Sequence, residues 1–416
     1  MSADWYSISN EGEILSPALL VYPDRVRKNI ELMVSLAGDA GRLRPHVKTY
    51  KMPQIVRMQL EAGITKFKCA TLAELEMTLA AGAHDVLVAY PLVGPAVGRA
   101  LDIVQAYPEQ RVVLLADHTG AVSALEREAS VRGLTVPVMI DIDNGMHRTG
   151  ISPGAEAREL YRELRESANL EAAGLHVYDG HIHEAAPVER ESACRRDFEP
   201  VEELIRQLHI DSMPLPELVC GGTPTFPVHA RFPERTVSPG TTLLWDYGYS
   251  TQYEDLPFLH AAVVLTRVVS TPQPQTVCLD LGVKAVAADK PQPRVWFPQL
   301  PDAEPVGHSE EHLALAVPEV AMDDAGVGGS AYSAQGSGAG SRGPGARQCG
   351  DVVYGIPRHI CPTVALYDEV HVVRDGAVAD RWPVAARGRG PLRFGESGPA
   401  VARHHEERAN EQPGNE

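Results

Sequence analysis

Short β-branched apolar runs and longer amphipathic stretches alternate from residue 17 to about 256. "ALLVY" (18–22) precedes "DRVRKNIELMVSLA", whose apolar residues recur at helical spacing, and "KFKCAT" precedes "LAELEMTLAAGA". The couplet returns as "DVLVAYP" with "GRALDIVQAY", "RVVLLAD" with "AVSALEREASVRG", "VPVMIDID" with "ARELYRELRESA", and "EAAGLHVYDG" with "CRRDFEPVEELIRQL"; "PELVCGGTPTF" and "RTVSPGTTLLWD" follow. About seven or eight such units in sequence predict an α/β fold, a parallel (β/α)8 TIM-type barrel in preference to a doubly wound open sheet.

Beyond residue 257 the texture changes. "FLHAAVVLTRVVS", "QTVCLDLGVKAVAAD", "PRVWFPQ", "HLALAVP", "DVVYG" and "DEVHVVRDGAVADRWPV" are short, β-rich and divided by Pro, Gly and Asp. They predict a C-terminal antiparallel β domain. The expected organisation is a barrel over 17–256 and a β domain over 1–16 and 257–396. Within the latter the Gly/Ser-rich stretch 325–346 is expected to be a flexible insertion, and 397–416 a disordered polar tail.

Composition narrows the partners. Lys plus Arg number 38 against 55 Asp plus Glu, a formal charge of −17 without a basic stripe, so no nucleic-acid partner is expected. No apolar run approaches the roughly 20 residues of a membrane span, and the N-terminus lacks a signal-peptide pattern, so a cytoplasmic protein with small-molecule partners and no membrane contact is expected. The six cysteines show no framework spacing, which favours reduced thiols and leaves a thiolate ligand available.

Candidate chemistry lies where barrel strands end. In "LRPHVKTYKMP", Pro45 and Pro53 bracket Lys48 and restrict its backbone. An isolated lysine is ordinarily solvated or salt-bridged, but one held at a barrel mouth can be desolvated and form a Schiff base with an aldehyde cofactor. "CGGTPTF" (220–226) and "SPGTT" (238–242) follow adjacent strands. Each is a plain turn alone, yet together Gly222, Thr223, Gly240 and Thr241 offer donors for a phosphate. In "IDIDNGMHRTGI" Arg148 can contact a cofactor ring or a carboxylate, while the spacing equally allows pairing with Asp141 or Asp143. In "HVYDGHIHE", Tyr178 can stack on a cofactor and His181 and His183 can move protons. His359 and Cys361, two apart in "GIPRHICPTVALYDEV", would share one face of a β-strand and suit zinc, although most metal sites need three or four protein ligands.

Taken together, "RPHVKT", "DIDNGMHRTG", "GGTPT" and "GIPRHICPTVALYDEVHVV" resemble the D-threonine aldolase and D-serine dehydratase family, relatives of the alanine racemases. The resemblance spans most of the chain. It implies pyridoxal 5′-phosphate on Lys48, with Arg148 and Tyr178 at the pyridine ring and Gly222, Thr223, Gly240 and Thr241 at the phosphate. It also implies a divalent metal, zinc by preference, on His359 and Cys361, and a homodimer acting on small D-amino acids. Tyr50 stands where family members often carry a histidine, and Glu311 and His312 in "SEEH" look family-like near the metal strand.

Two lyase outcomes fit that resemblance. With α-proton abstraction by Lys48, β-hydroxide leaves and a 2-oxo acid and ammonia result; without it, Cα–Cβ cleavage gives glycine and an aldehyde. The dehydratases of the family carry His-x-Cys and the aldolases His-x-Asp, so Cys361 favours dehydration. The aldolases also use a histidine six residues after the Tyr178 position, where this chain has Glu184. Racemisation and a non-catalytic cofactor carrier are the more distant alternatives; a carrier would need neither the second domain nor a metal pair.

Overall fold

The computed structural model describes residues 5–318 and 347–390. The expected insertion at 325–346 and tail at 397–416 lie outside the described residues.

Seven parallel strands follow one another in sequence order: β2 (Lys66–Cys69), β3 (Asp85–Val88), β4 (Arg111–Ala116), β5 (Val136–Ile142), β6 (Leu170–Val177), β7 (Leu218–Cys220) and β8 (Thr236–Val237). The extended segment 43–46 closes them into a barrel, Leu43 bridging Val237 on one side and His46 bridging Lys68 on the other. Around it lie α2 (Pro53–Glu61), α3 (Leu72–Ala80), α4 (Pro95–Ala106), α5 (Thr119–Arg132), α6 (Ala155–Glu166), α7 (Pro187–Ile210) and the short α8 (Phe226–His229). The expected fold class is found.

Alternation along the strands sorts the two faces. Leu87, Val113, Leu115, Met139, Ala173 and Val219 fill the barrel interior, while Phe67, Val86, Val88, Val112 and Leu114 pack outward. At one end buried Arg44 pairs with Asp85 (2.7 Å) and Glu217 (2.8 Å), so its buried charge is compensated, and Lys66 adds a second cation on Glu217. On β6, Ala173 and His176 both turn inward although three residues apart. A bulge makes this possible: Gly174 has φ +133°, and a Cβ there would meet the Glu217 carbonyl oxygen at 1.9 Å.

The second sheet corrects one expectation. β1 (Ala18–Val21), assigned by pattern to the barrel, instead lies between β9 (Ala262–Gln273) and β15 (Glu369–Arg374). Its helix α1 (Pro23–Ala37) starts at a proline and buries Val26, Ile30, Met33 and Ala37 in the main core. The sheet is completed by β10 (Thr276–Leu279), β11 (Val295–Trp296), β12 (Glu304–His308), β13 (Leu313–Ala316), β14 (Val352–Pro357) and β16 (Ala377–Pro383). Its pairings are antiparallel except for β1 with β15. Two short helices bring the halves together: α9 (Tyr247–Gln252) after the barrel and α10 (Ile360–Val364) after β14. Buried Asp246 accepts from the amides of Tyr249 (2.9 Å) and Ile360 (3.1 Å), capping both helices at once. None of the described helices is long and apolar enough to cross a membrane.

Candidate active site

A cavity of about 430 Å³ opens at the strand ends, lined by residues that include His46, Lys48, Lys68, Arg148, His176 and Tyr178. Among its described lining residues none is a carboxylate, so it is locally cationic in a chain of net charge −17. Lys48 lies in a single 3-10 turn, Val47–Thr49, straight after the closing segment, and its amide donates to His46 Nδ1 (3.2 Å). Burial, with Lys48 and Lys68 nearby, holds His46 well below its ordinary pKa, which keeps the ring neutral and that nitrogen an acceptor. Tyr50, two residues on, turns away into the core and its hydroxyl accepts from Gln59 Nε2 (2.8 Å).

Three basic side chains face the Tyr178 ring: Arg148 at 5.0 Å, Lys68 at 5.6 Å and Lys48 at 5.9 Å from its centroid. The carboxylates that spacing offered to Arg148 are engaged elsewhere. Asp141 accepts from His176 Nδ1 (2.7 Å) and Thr149 (2.9 Å), and Asp143 from the amides of Gly145 and His147. The Tyr178 ring folds back over Gly180, where a Cβ would meet it at 2.3 Å.

The two glycine loops meet beside this ring and do not line the cavity itself. The amides of Gly240 and Thr241 both donate to Thr223 Oγ1 (3.0 Å each), and the amide of Gly222 donates to Thr225 Oγ1 (3.0 Å). A Cβ on Gly222 would sit 3.0 Å from the Tyr178 ring, and one on Gly240 3.1 Å from His46 Cβ. Converging amides, glycine-only clearance and a lysine over an aromatic ring fit an aldehyde cofactor carrying a phosphate.

His359 and Cys361 are not on a strand. β14 stops at Pro357, His359 caps α10, and Cys361 lies in its first turn. The helix carries Cys361 toward Lys48 nonetheless: its Sγ is 3.2 Å from Thr49 Oγ1 and 3.7 Å from Thr241 Oγ1. Burial opposes charge on both groups, but each offsets it for the other. His359 rises to about 9, aided by Asp289, and the Cys361 thiol is lowered, with Lys48 contributing. His359 Nδ1 donates to Asp289 Oδ2 (2.6 Å), and the ring also hydrogen-bonds the Cys361 side chain. An imidazole and a thiolate held together with a carboxylate behind the imidazole fit a divalent metal with soft to borderline preference.

Other expected positions separate from the cavity. His181 Nε2 bonds Asp197 (3.0 Å) on α7, and exposed His183 bonds Glu184 and Gln252 through its backbone; neither lines the cavity. Asp179 redirects this loop outward, because its buried carboxylate is held by Thr225 (2.7 Å) and His229 (2.7 Å). Glu311 pairs with Lys284 at the surface (2.9 Å). Sequence reasoning missed His46, Lys68, Asp141 and His176. For Lys68 and Asp141 the signal was alternation, with Phe67 and Cys69 outward in "KFKC" and Asp141 two residues after inward-facing Met139.

Residues 21–249 match the alanine racemase N-terminal domain, and 261–373 the putative serine dehydratase domain. The chain belongs to the alanine racemase N-terminal domain family. It is thus a fold type III pyridoxal-phosphate protein with a D-serine dehydratase-like second domain. It is similar to D-threonine aldolase of Arthrobacter sp, 27% identical over 350 residues that cover 83% of this chain and 85% of that one. It is also 25% identical to 3-hydroxy-D-aspartate aldolase of Paracoccus denitrificans (strain Pd 1222), over 92% of this chain and 94% of that one. Among solved structures, D-threonine aldolase from Filomicrobium marinum superposes with a TM-score of 0.79 at 25% identity, covering 93% and 99% of the two chains. D-threo-3-hydroxyaspartate dehydratase from Delftia sp. HT23 shares the fold, with a TM-score of 0.71 at 23% identity over 91% and 98%.

Proposed function

We propose that this alanine racemase-family chain is a pyridoxal-phosphate- and metal-dependent lyase of D-β-hydroxy-amino acids, and that it dehydrates them. One observation carries the reading: Cys361 Sγ, beside His359, lies 3.2 Å from the hydroxyl of Thr49, the residue next to Lys48. A soft ligand pair drawn from a second domain to the neighbourhood of a cavity lysine has no role in a carrier. The relatives named for D-threonine, 3-hydroxyaspartate and their aldol cleavage or dehydration support the substrate class.

In this reading Lys48 would hold the cofactor aldehyde, Tyr178 and Arg148 would contact its ring, and the loops of Gly222, Thr223, Gly240 and Thr241 would take its phosphate. His359 and Cys361 hold the metal, zinc by their donor types. When bound, the cofactor supplies an electron sink at Cα and the metal a Lewis acid at the β-oxygen. The chain's own part is to move one proton and hold the rest still. Lys48 Nζ would take the α-proton, while neutral His46 fixes the backbone of the turn that carries it. Over the whole reaction the substrate loses its α-proton and β-hydroxide as one water, and a second water converts the enamine to a 2-oxo acid and ammonia. The homodimer and cytoplasmic site implied by the sequence belong to the same reading.

Retro-aldol cleavage is the second reading, favoured by relatives named as aldolases. Incubation with D-serine and D-threonine, with and without a chelator, separates the two. Pyruvate and 2-oxobutyrate are expected; glycine with acetaldehyde from D-threonine would move the assignment to the aldolases, and chelator-insensitive turnover would remove the metal from it. Lys48→Ala is expected to abolish both the cofactor's absorbance band and turnover.

A further inference from the structure

The cavity holds a second lysine that the assigned steps do not use. Lys68 projects inward from β2 and is 2% exposed. Among the described residues it forms no ion pair with a carboxylate; its Nζ donates to His176 Nε2 (3.4 Å), whose Nδ1 in turn donates to Asp141 (2.7 Å). The other charged or titratable groups acting on it from packed elements are Arg44, His46 and Lys48 on the closing segment and its turn, Asp141 on β5, Asp179 after β6, and Arg148 and Tyr178 at the mouth. Because His176 commits Nδ1–H to Asp141, it offers Lys68 a lone pair and no charge, and burial holds the ring below its ordinary pKa.

We propose that Lys68, lining the cavity between His176 and the Tyr178 ring, is its anion-binding amine and takes up a proton when the ligand's carboxylate docks beside it. The inference rests on this cavity being the substrate site. A cavity that must admit a carboxylate and a reactive amine gains from a charge that forms only with the ligand: Lys48 is not repelled by a permanent neighbour, and the incoming anion is still paired. Burial first, then repulsion from Lys48, lowers Lys68 to about 7, with Asp141 and Asp179 opposing. The sign follows. Above pH 7 the free amine is neutral, so binding an anion must draw in a proton, and affinity should fall about tenfold per pH unit until the bound amine also deprotonates. Below pH 7 the amine is already charged and affinity should level.

Propionate, which has no amine to engage Lys48 and no hydroxyl to engage a metal, is the probe. Titrating the holoenzyme by calorimetry at pH 8.5, in two buffers of different ionisation enthalpy, counts protons taken up. The wild type is expected to take up close to one. Lys68→Met should bind at least about tenfold more weakly with no uptake, and Lys68→Arg, always charged, should bind without uptake and without the pH slope. Proton uptake persisting in Lys68→Met, a pH-independent wild type, or no propionate binding at all would overturn the proposal. None of these outcomes depends on turnover, so the inference can fail while the lyase assignment stands, and the reverse.

Discussion

Two clusters of the same ligand types stand on either side of the phosphate-type loops and behave differently. Asp179, Cys194 and His229 lie buried with their ligand atoms within 4.8 Å of one another, the arrangement that most resembles a metal site by composition. Its lone pairs are already taken. His229 Nε2 donates to Asp179 (2.7 Å), Arg235 donates to His229 Nδ1 (3.0 Å), Thr225 donates to Asp179 (2.7 Å), and burial pushes the Cys194 thiol up. The His359, Cys361 and Asp289 group is more open, its thiol is pushed down, and one imidazole nitrogen is free of a carboxylate. Ligand identity does not separate the two groups; the lowered thiol and the ring nitrogen clear of a carboxylate do.

The first cluster should break as structure. His229→Ala leaves Asp179 buried with one hydroxyl partner and removes the acceptor of Arg235 Nη1, which keeps its Glu202 pairing through Nη2; the loss should cost about 3–5 kcal/mol in denaturant unfolding. Metal content per chain should not change, and a variant that loses metal would make the buried cluster the metal centre. The second cluster should break as chemistry. Cys361→Ala should remove bound metal and lower turnover on the order of a hundredfold, with the cofactor band kept because Lys48 is untouched. Retained metal in that variant would erase the distinction between the clusters.

The same contrast shows what the amino-acid sequence made legible. Alternating strand and helix patterns predict the barrel, and two glycine loops with Lys48 read as a cofactor site; the structure brings those loops together beside the Tyr178 ring that Lys48 faces. The strand expected to end at Lys48 is the closing segment 43–46, which bridges Val237 and Lys68. Two other features were hidden for physical reasons. β1 followed by α1 is locally indistinguishable from a barrel unit, and only hydrogen bonds to β9 and β15 assign it elsewhere. His176 escapes a period-two count because the Gly174 bulge shifts the register before it. The expected pairing of His359 with Cys361 rests on a partly mistaken placement. Alternation on a strand would have put both side chains on one face; the chain instead starts a helix at His359, with Pro362 in the first turn where its missing N–H costs nothing.

The smallest expected effect tests the carboxylate behind the imidazole. Asp289 touches neither Lys48 nor the cavity lining, so its influence on turnover must pass through His359. Asp289→Asn keeps an acceptor for the Nδ1 proton and so preserves ring orientation while removing negative charge. Asp289→Ala removes both. Partners of this kind are typically worth about 10–100-fold in metal affinity, so competition with a chromogenic chelator should place Asn near the lower bound and Ala near the upper. Turnover at saturating metal should return close to wild type in both, because the ligands themselves are intact. Equal losses in the two variants would mean that charge, not orientation, is what Asp289 gives the imidazole; no loss in either would leave His359 oriented by the helix that begins there.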